Sequence, residues 1–165
     1  MNFKLEKWSP DFAEDISKHA NNPKIAINLR DSFPNPYFLE NAIEYINFVL
    51  IDNNTFSRAI LIDGEAVGSV AISIKEDVHS KSAELGYWLG EDYWNKGIMT
   101  KVIKEFTNLV FNETDIVRIF AEPFSYNLSS KKVLEKVGFN LEGIKLKNVY
   151  KNGKFYDSYL YSLIK

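Results

Sequence analysis

The chain has 165 residues, 45% of them hydrophobic and 25% charged, which is the balance of a soluble globular domain large enough to bury a core. The net charge of -2 argues against a general nucleic-acid binder, and the absence of cysteine excludes thiol catalysis, disulfides and Cys-ligated zinc. The only two histidines, His19 and His79, stand far apart, so no His-based metal site is expected and both read most simply as surface residues. No apolar run approaches membrane-spanning length, and the opening residues MNFKLEKW carry no signal-peptide pattern. The expectation is one cytoplasmic domain over residues 1–165, with no membrane or direct nucleic-acid partner.

In chain order, residues 3–8 alternate weakly and predict an edge strand. Ser9-Pro10-Asp11 is a helix start, with Ser9 as N-cap and Pro10 in the first position, for a helix running to about residue 20. Residues 21–38 hold three prolines and several asparagines and predict a loop. Apolar residues at 39, 42, 43, 46, 49 and 50 form a helical stripe. Residues 55–62 and 65–74 predict a hairpin turned at Asp63-Gly64, and 82–89 a third strand. A helix follows with apolar residues at 98, 102, 103, 106, 109 and 110. Residues 116–122 predict a strand closed by Pro123, and 127–137 a helix ended by Gly138. Two long strands, 139–149 and 154–164, turn at Asn152-Gly153. The crossover helix near 98–110 makes its flanking strands parallel within a mostly antiparallel sheet of six to seven strands. The fold class is therefore α/β (α+β), with helices on both faces of the sheet.

The segment Trp94-Asn95-Lys96-Gly97-Ile98-Met99-Thr100 lies between a strand and a helix. A helix N-terminus offers unpaired N–H groups and the positive end of its dipole, an arrangement that binds phosphate. Gly97 lets the backbone approach an anion, Lys96 and Lys101 add charge, and the Thr100 hydroxyl can bond a phosphate oxygen. Taken alone, the same residues are equally a helix capped by its own loop. A P-loop is not present, because Gly97 is followed by Ile98.

Two segments at their spacing, 83-AELGYWLGEDYWNKGIMTKVI-103 and 127-NLSSKKVLEKVGFNLEG-143, resemble the GCN5-related N-acetyltransferase (GNAT) superfamily, and within it the RimJ/RimL-like branch. The likeness is strong over about residues 55–165 and rests on element order before that. It implies the GNAT acyl-CoA N-acyltransferase fold and acetyl-CoA as cosubstrate, with no metal. The pyrophosphate would lie in the Gly97 loop. The pantetheine would lie along a strand that carries a β-bulge and splays from its parallel neighbour, bonded to the backbone of Tyr87, Trp88 and Leu89. The resemblance makes Glu84 a general base, with burial expected to raise its pKa into a useful range. It places Asn127 at the cofactor and Ser130 near the thioester sulfur, as a hydrogen-bond donor or proton relay to the leaving thiolate. Asn127 is also a good N-cap, worth about 1 kcal/mol. The backbone N–H of Leu89 is the expected oxyanion donor.

This chain departs from the family twice. The tyrosine acid that many members place four residues before the Gly-Phe pair is Leu134 here. The catalytic glutamate of the RimL-like strand falls at Val149, beside Tyr150 and ahead of Asp157. Phe33 and Tyr37, in the loop 31–38, are expected to contact the acceptor with Glu84 and Tyr150. Asp31, Glu40, Glu44 and Glu84 are the acidic candidates for an acceptor pocket. The expected reaction is direct acetyl transfer in a ternary complex to a primary amine, by likeness the N-terminal amine of a ribosomal-type protein. A small amine (polyamine, amino sugar or amino acid) is the nearest alternative, and a non-catalytic CoA-binding module is the other. The edge strands and exposed aromatics are compatible with a homodimer without requiring one.

Overall fold

A computed structural model describes residues 2–165. The elements run β1 (Phe3–Glu6), α1 (Ala13–Ala20), α2 (Pro23–Ala26), α3 (Leu39–Ile51), β2 (Thr55–Ile62), β3 (Glu65–Ile74), β4 (Ser82–Leu89), α4 (Ile98–Glu113), β5 (Arg118–Ala121), α5 (Leu128–Val137), β6 (Asn140–Lys151) and β7 (Lys154–Ile164). The expected elements are all present. One short helix, α2, lies inside the expected loop. Asn22 caps it, accepting from the Lys24 N–H at 2.9 Å, and Pro23 occupies its first turn.

The seven strands form one sheet in the order β1-β2-β3-β4-β5-β7-β6. Every pairing is antiparallel except β4 with β5, which the α4 crossover makes parallel. The final hairpin turns so that β7, the last strand, lies against β5 and leaves β6 at the edge.

Side-chain alternation divides the sheet into two buried layers. Ala83, Leu85 and Leu89 of β4 join Ile98, Val102, Ile103 and Phe106 of α4 and Leu134 of α5 in the larger core. On the opposite face Ala59, Ala66 and Trp88 pack with Ile16 of α1 and Ala42 and Ile46 of α3. The α3 stripe is buried only at its centre: Leu39, Ile43 and Leu50 are exposed. His19, expected at the surface, is buried, and its Nε2 lies 2.9 Å from Glu65 Oε1.

The β3–β4 ladder runs in unbroken register from Gly68↔Leu89 to Ile74↔Ala83. The bulge expected in β4 is therefore not there; register breaks instead at Ile60/Leu61 in β2 and at two places in β6. Splaying of β4 from β5 is present nonetheless. The two strands pair only at Ser82↔Arg118, Ala83↔Ile119 and Glu84↔Phe120. Beyond β5 the chain leans toward β7: Tyr159 N–H donates to Pro123 O at 3.0 Å and Ser125 N–H to Asp157 O at 2.9 Å. Those bonds draw residues 123–125 away from β4 and open the sheet.

Gly68 fits this ladder because it has no side chain. A Cβ there would lie 2.5 Å from Trp88 O, a backbone atom that cannot rotate away. Gly68→Ala is expected to destabilise the protein by about 1–3 kcal/mol, as overpacking does. Urea denaturation checks this, and a shift of less than about 0.5 kcal/mol would show that the two strands separate freely.

Candidate active site

Past Glu84 one edge of β4 has no strand beside it. The ladder fixes which peptide groups are left open. Gly90 N–H donates to Val67 O, and Lys75 N–H to Ser82 O. Antiparallel pairs alternate, so Glu84, Gly86 and Trp88 direct their N–H and C=O groups at β3. Leu85, Tyr87 and Leu89 direct theirs the other way: the Leu85 N–H is taken by Phe120 O in the last pairing with β5, while the Leu85 carbonyl and the Tyr87 and Leu89 groups face the split. Of the three strand residues expected to offer backbone, Tyr87 and Leu89 do so and Trp88 does not: its peptide is consumed by β3 and its ring packs edge-on against Phe33, centroids 6.0 Å apart. The Leu89 carbonyl is already taken, accepting from Trp94 Nε1 at 2.7 Å, which leaves its N–H free. Trp94 thereby pins the loop to the strand.

The loop then enters α4 through two residues with positive φ, Asn95 at 58° and Gly97 at 70°. No side chain caps α4, so its first N–H groups, from Ile98 onward, have no intrahelical partner. A Cβ built on Gly97 would meet nothing within 4 Å, so the space in front of the helix is open. Ile98 is buried and Met99 packs on the core, so both contribute backbone rather than side chain to that space. Thr100 stands partly exposed in the first turn. Lys96 folds back onto the loop, donating to Asp92 O at 2.7 Å with Nζ 5.6 Å from the Tyr93 ring centre.

These features fit an extended acyl-CoA: an uncapped helix start for a pyrophosphate, adjoining a row of open strand amides for a pantetheine arm. Asn127 caps α5 as expected, its Oδ1 accepting from the Ser130 N–H at 3.2 Å. Ser130 Oγ lies 2.5 Å from the Tyr87 hydroxyl, on the α4/α5 face of the sheet.

The other face holds a different set of groups. Glu84 projects there, into a cavity of about 280 Å³ lined in part by Arg30, Asp31, Glu122, Asn148, Val149 and Tyr150. Glu84 is ion-paired twice, to Arg30 through one oxygen and to Lys75 Nζ at 3.0 Å through the other. Burial pushes its carboxyl up, but the Lys75 and Arg30 contacts outweigh this and hold it below the ordinary glutamate value. The expected raised pKa is thus corrected, because the paired cations favour the charged form more than desolvation opposes it.

Tyr150 and Val149 both line the cavity, so the position that carries a glutamate in the RimL-like pattern does face it. Tyr37 does not take part. It is 5% exposed in the core beside Phe33, their ring centres 5.1 Å apart. Phe33 packs between Tyr37 and Trp88 and does not line the cavity either. Glu40 and Glu44 are exposed on α3 and also lie outside its lining, leaving Asp31 and Glu84 from the expected acids.

Sequence reasoning missed Glu122 and Lys151. Glu122, paired to Lys145 Nζ at 2.6 Å, has a signal in the sequence: it ends the strand parallel to β4, where the split opens. Lys151 has none, since its role is set by distant contacts. It is buried and donates to Leu29 O and Asp31 Oδ1, both at 2.8 Å, holding the α2–α3 loop over the cavity. Tyr126 adds to that hold through its hydroxyl bond to Ile27 O.

A family model described as an acetyltransferase (GNAT) domain matches residues 2–140. The chain is 32% identical over 114 residues to the putative ribosomal N-acetyltransferase YdaF of Bacillus subtilis (strain 168), covering 69% of this chain and 62% of that protein. The matched stretch is thus under two thirds of that relative's length. A solved structure of the microcin C7 self-immunity acetyltransferase MccE, in complex with acetyl-CoA and AMP, is similar with TM-score 0.84 and 26% identity over 99% of this chain and 92% of that chain. RimL, a ribosomal L7/L12 alpha-N-protein acetyltransferase in complex with coenzyme A, shares the fold with TM-score 0.88 at 21% identity, over 99% of this chain and 94% of that chain.

Because its folded-state pKa is depressed, Glu84 stabilises the protein above its unfolded pKa, and that contribution is lost as pH falls through the folded value. Glu84→Gln is therefore expected to be less stable than wild type at neutral pH, with the gap closing below about pH 4.3. Denaturant midpoints at a series of pH values check this; a gap that persists undiminished in acid would mean that the ion pairs are not its source.

Proposed function

Since the chain belongs to the GNAT acetyltransferase family, we propose that it transfers acetyl from acetyl-CoA to a primary amine, with a protein N-terminus as the acceptor. The observation that carries this reading is the split sheet continuous with the uncapped α4. In it the first-turn amides of α4 hold the pyrophosphate, while the Tyr87 peptide groups and the Leu85 carbonyl bond the pantetheine arm. Acetyl-CoA supplies the activated acyl group. The Leu89 N–H faces the split and stabilises charge developing on the acetyl oxygen.

The acceptor enters from the opposite face, through the cavity at Glu84. Glu84 is ionised there and attracts the acceptor's ammonium group in competition with Arg30. With its pKa held down it is a weak base, so it orders the amine and a water that removes the proton. The cavity opens toward the exposed ring of Tyr150, which suits an acceptor that continues outward as a peptide chain. The relative YdaF, described as a putative ribosomal N-acetyltransferase, supports this acceptor class.

A second reading is favoured by one observation. Arg30 and Glu84 present opposite charges side by side at the cavity. A free amino acid carries the complementary pair, its carboxylate matching Arg30 and its ammonium matching Glu84.

Release of free thiol from acetyl-CoA, measured against N-terminal peptides, free amino acids and polyamines, tests both readings. Turnover with peptides and not with amino acids is expected; the reverse selects the second reading. Gly97→Val should weaken CoA binding about tenfold, or 1.4 kcal/mol, because a β-branched side chain strains the left-handed backbone and obstructs the anion. Calorimetry reads that change, and unaltered affinity would overturn the role given to the loop.

A further inference from the structure

The Tyr87–Ser130 contact is a direct hydroxyl–hydroxyl bond of 2.5 Å between β4 and the first turn of α5. It sits where β4 has parted from β5, so it spans the split rather than a closed ladder. The position where many family members place a tyrosine acid holds Leu134, which is fully buried in the core. A phenol is nonetheless present beside Ser130, delivered from a strand instead of from the helix.

We infer that Tyr87 is a positioning residue that donates its hydroxyl hydrogen to Ser130 Oγ, leaving the Ser130 hydrogen directed at the sulfur of the bound thioester. This inference rests on the acetyltransferase reading above. A serine hydroxyl has one hydrogen and two lone pairs. Left alone beside a phenol, it can spend its single hydrogen on the phenol oxygen. A phenol is the more acidic hydroxyl and the better donor, while the serine oxygen is the better acceptor. Tyr87 also has no other hydrogen-bond partner among the described residues, so its hydrogen goes to Ser130.

Burial pushes the Tyr87 hydroxyl up to about 12, so it stays protonated, and a donor, throughout the range in which a thiol ionises. The Ser130 backbone is fixed independently by the Asn127 cap. Backbone and oxygen are thus both held, and only the hydrogen remains to be used. In the transfer the C–S bond breaks and a C–N bond forms. The sulfur keeps the C–S electron pair and gains a proton through Ser130, replenished from water by way of Tyr87. The acceptor ammonium loses one proton to water to become the attacking amine and a second after attack; one of the two balances the proton gained by sulfur and the other is released to solvent.

The test needs no knowledge of the acceptor. CoA is bound to wild type, Tyr87→Phe, Ser130→Ala and the double variant of the full chain, and its thiol is titrated by thiolate absorbance. In wild type the bound thiol is expected to ionise below the free value of about 8.5. Tyr87→Phe should raise that midpoint by about one pH unit, with its affinity loss for CoA confined to pH values above the bound thiol's midpoint, where thiolate is held. The double variant should match Ser130→Ala, because Tyr87 acts through that oxygen. Wild-type binding with a midpoint insensitive to Tyr87→Phe would overturn the inference while leaving the acetyltransferase reading intact. So would additive effects in the double variant, or a Tyr87→Phe protein that loses affinity without moving the midpoint. Absence of CoA binding in wild type would overturn both.

Discussion

The parting of β4 from β5 after Glu84 is the constraint on which the rest of the site depends. A parallel pair inside an antiparallel sheet is already the weaker pairing, and here it lasts three residues. The chain beyond β5 satisfies its backbone on β7 instead, through the Pro123 and Ser125 bonds. The Leu85 carbonyl, both Tyr87 peptide groups and the Leu89 N–H are left open in a part of the sheet whose side chains are packed from both faces. Unpaired buried backbone is costly, so this edge calls for a partner. In the function proposed above, that partner is the amide-bearing arm of acyl-CoA.

The same opening separates the chemistry by face. Tyr87 and Ser130 sit with α4 and α5, while Glu84, Glu122 and the loop held by Lys151 sit on the other side. Two substrates can then meet through the sheet without sharing an entrance. The α2–α3 loop is tied to β6 by Lys151, and α2, which leads into it, is tied through Asn22 and Lys24 to Glu91 in the loop that leads to Gly97. Of these ties only Lys24–Glu91 is an exposed charge pair, worth about 0–1 kcal/mol; the Lys151 bonds are made by a buried ammonium.

Much of this was legible in the sequence because it is written locally. The Asp63-Gly64 and Asn152-Gly153 turns, the Pro10 helix start and the α4 stripe each depend on a few neighbouring residues. The Gly97 loop and the Asn127 cap are local in the same way. What was misread is non-local. Glu84 was expected to have its pKa raised by burial, but its charge is set by Arg30 and Lys75, from two other segments. Tyr37 looks like a loop aromatic in sequence and is core in the fold, because the loop folds back against α1 and α3. Trp88 was expected to offer backbone to the split, yet strand parity gives its peptide to β3, and that parity is fixed by register rather than by residue type.

That parity also makes the central claim measurable one amide at a time. Hydrogen exchange followed by NMR, with and without CoA, distinguishes residues that alternate along a single strand. The account predicts that CoA slows exchange at Tyr87 and Leu89 and at the first amides of α4, while Leu85, already bonded to β5, and Gly86 and Trp88, already bonded to β3, change little. CoA binding that leaves the Tyr87 and Leu89 amides unaltered would contradict it.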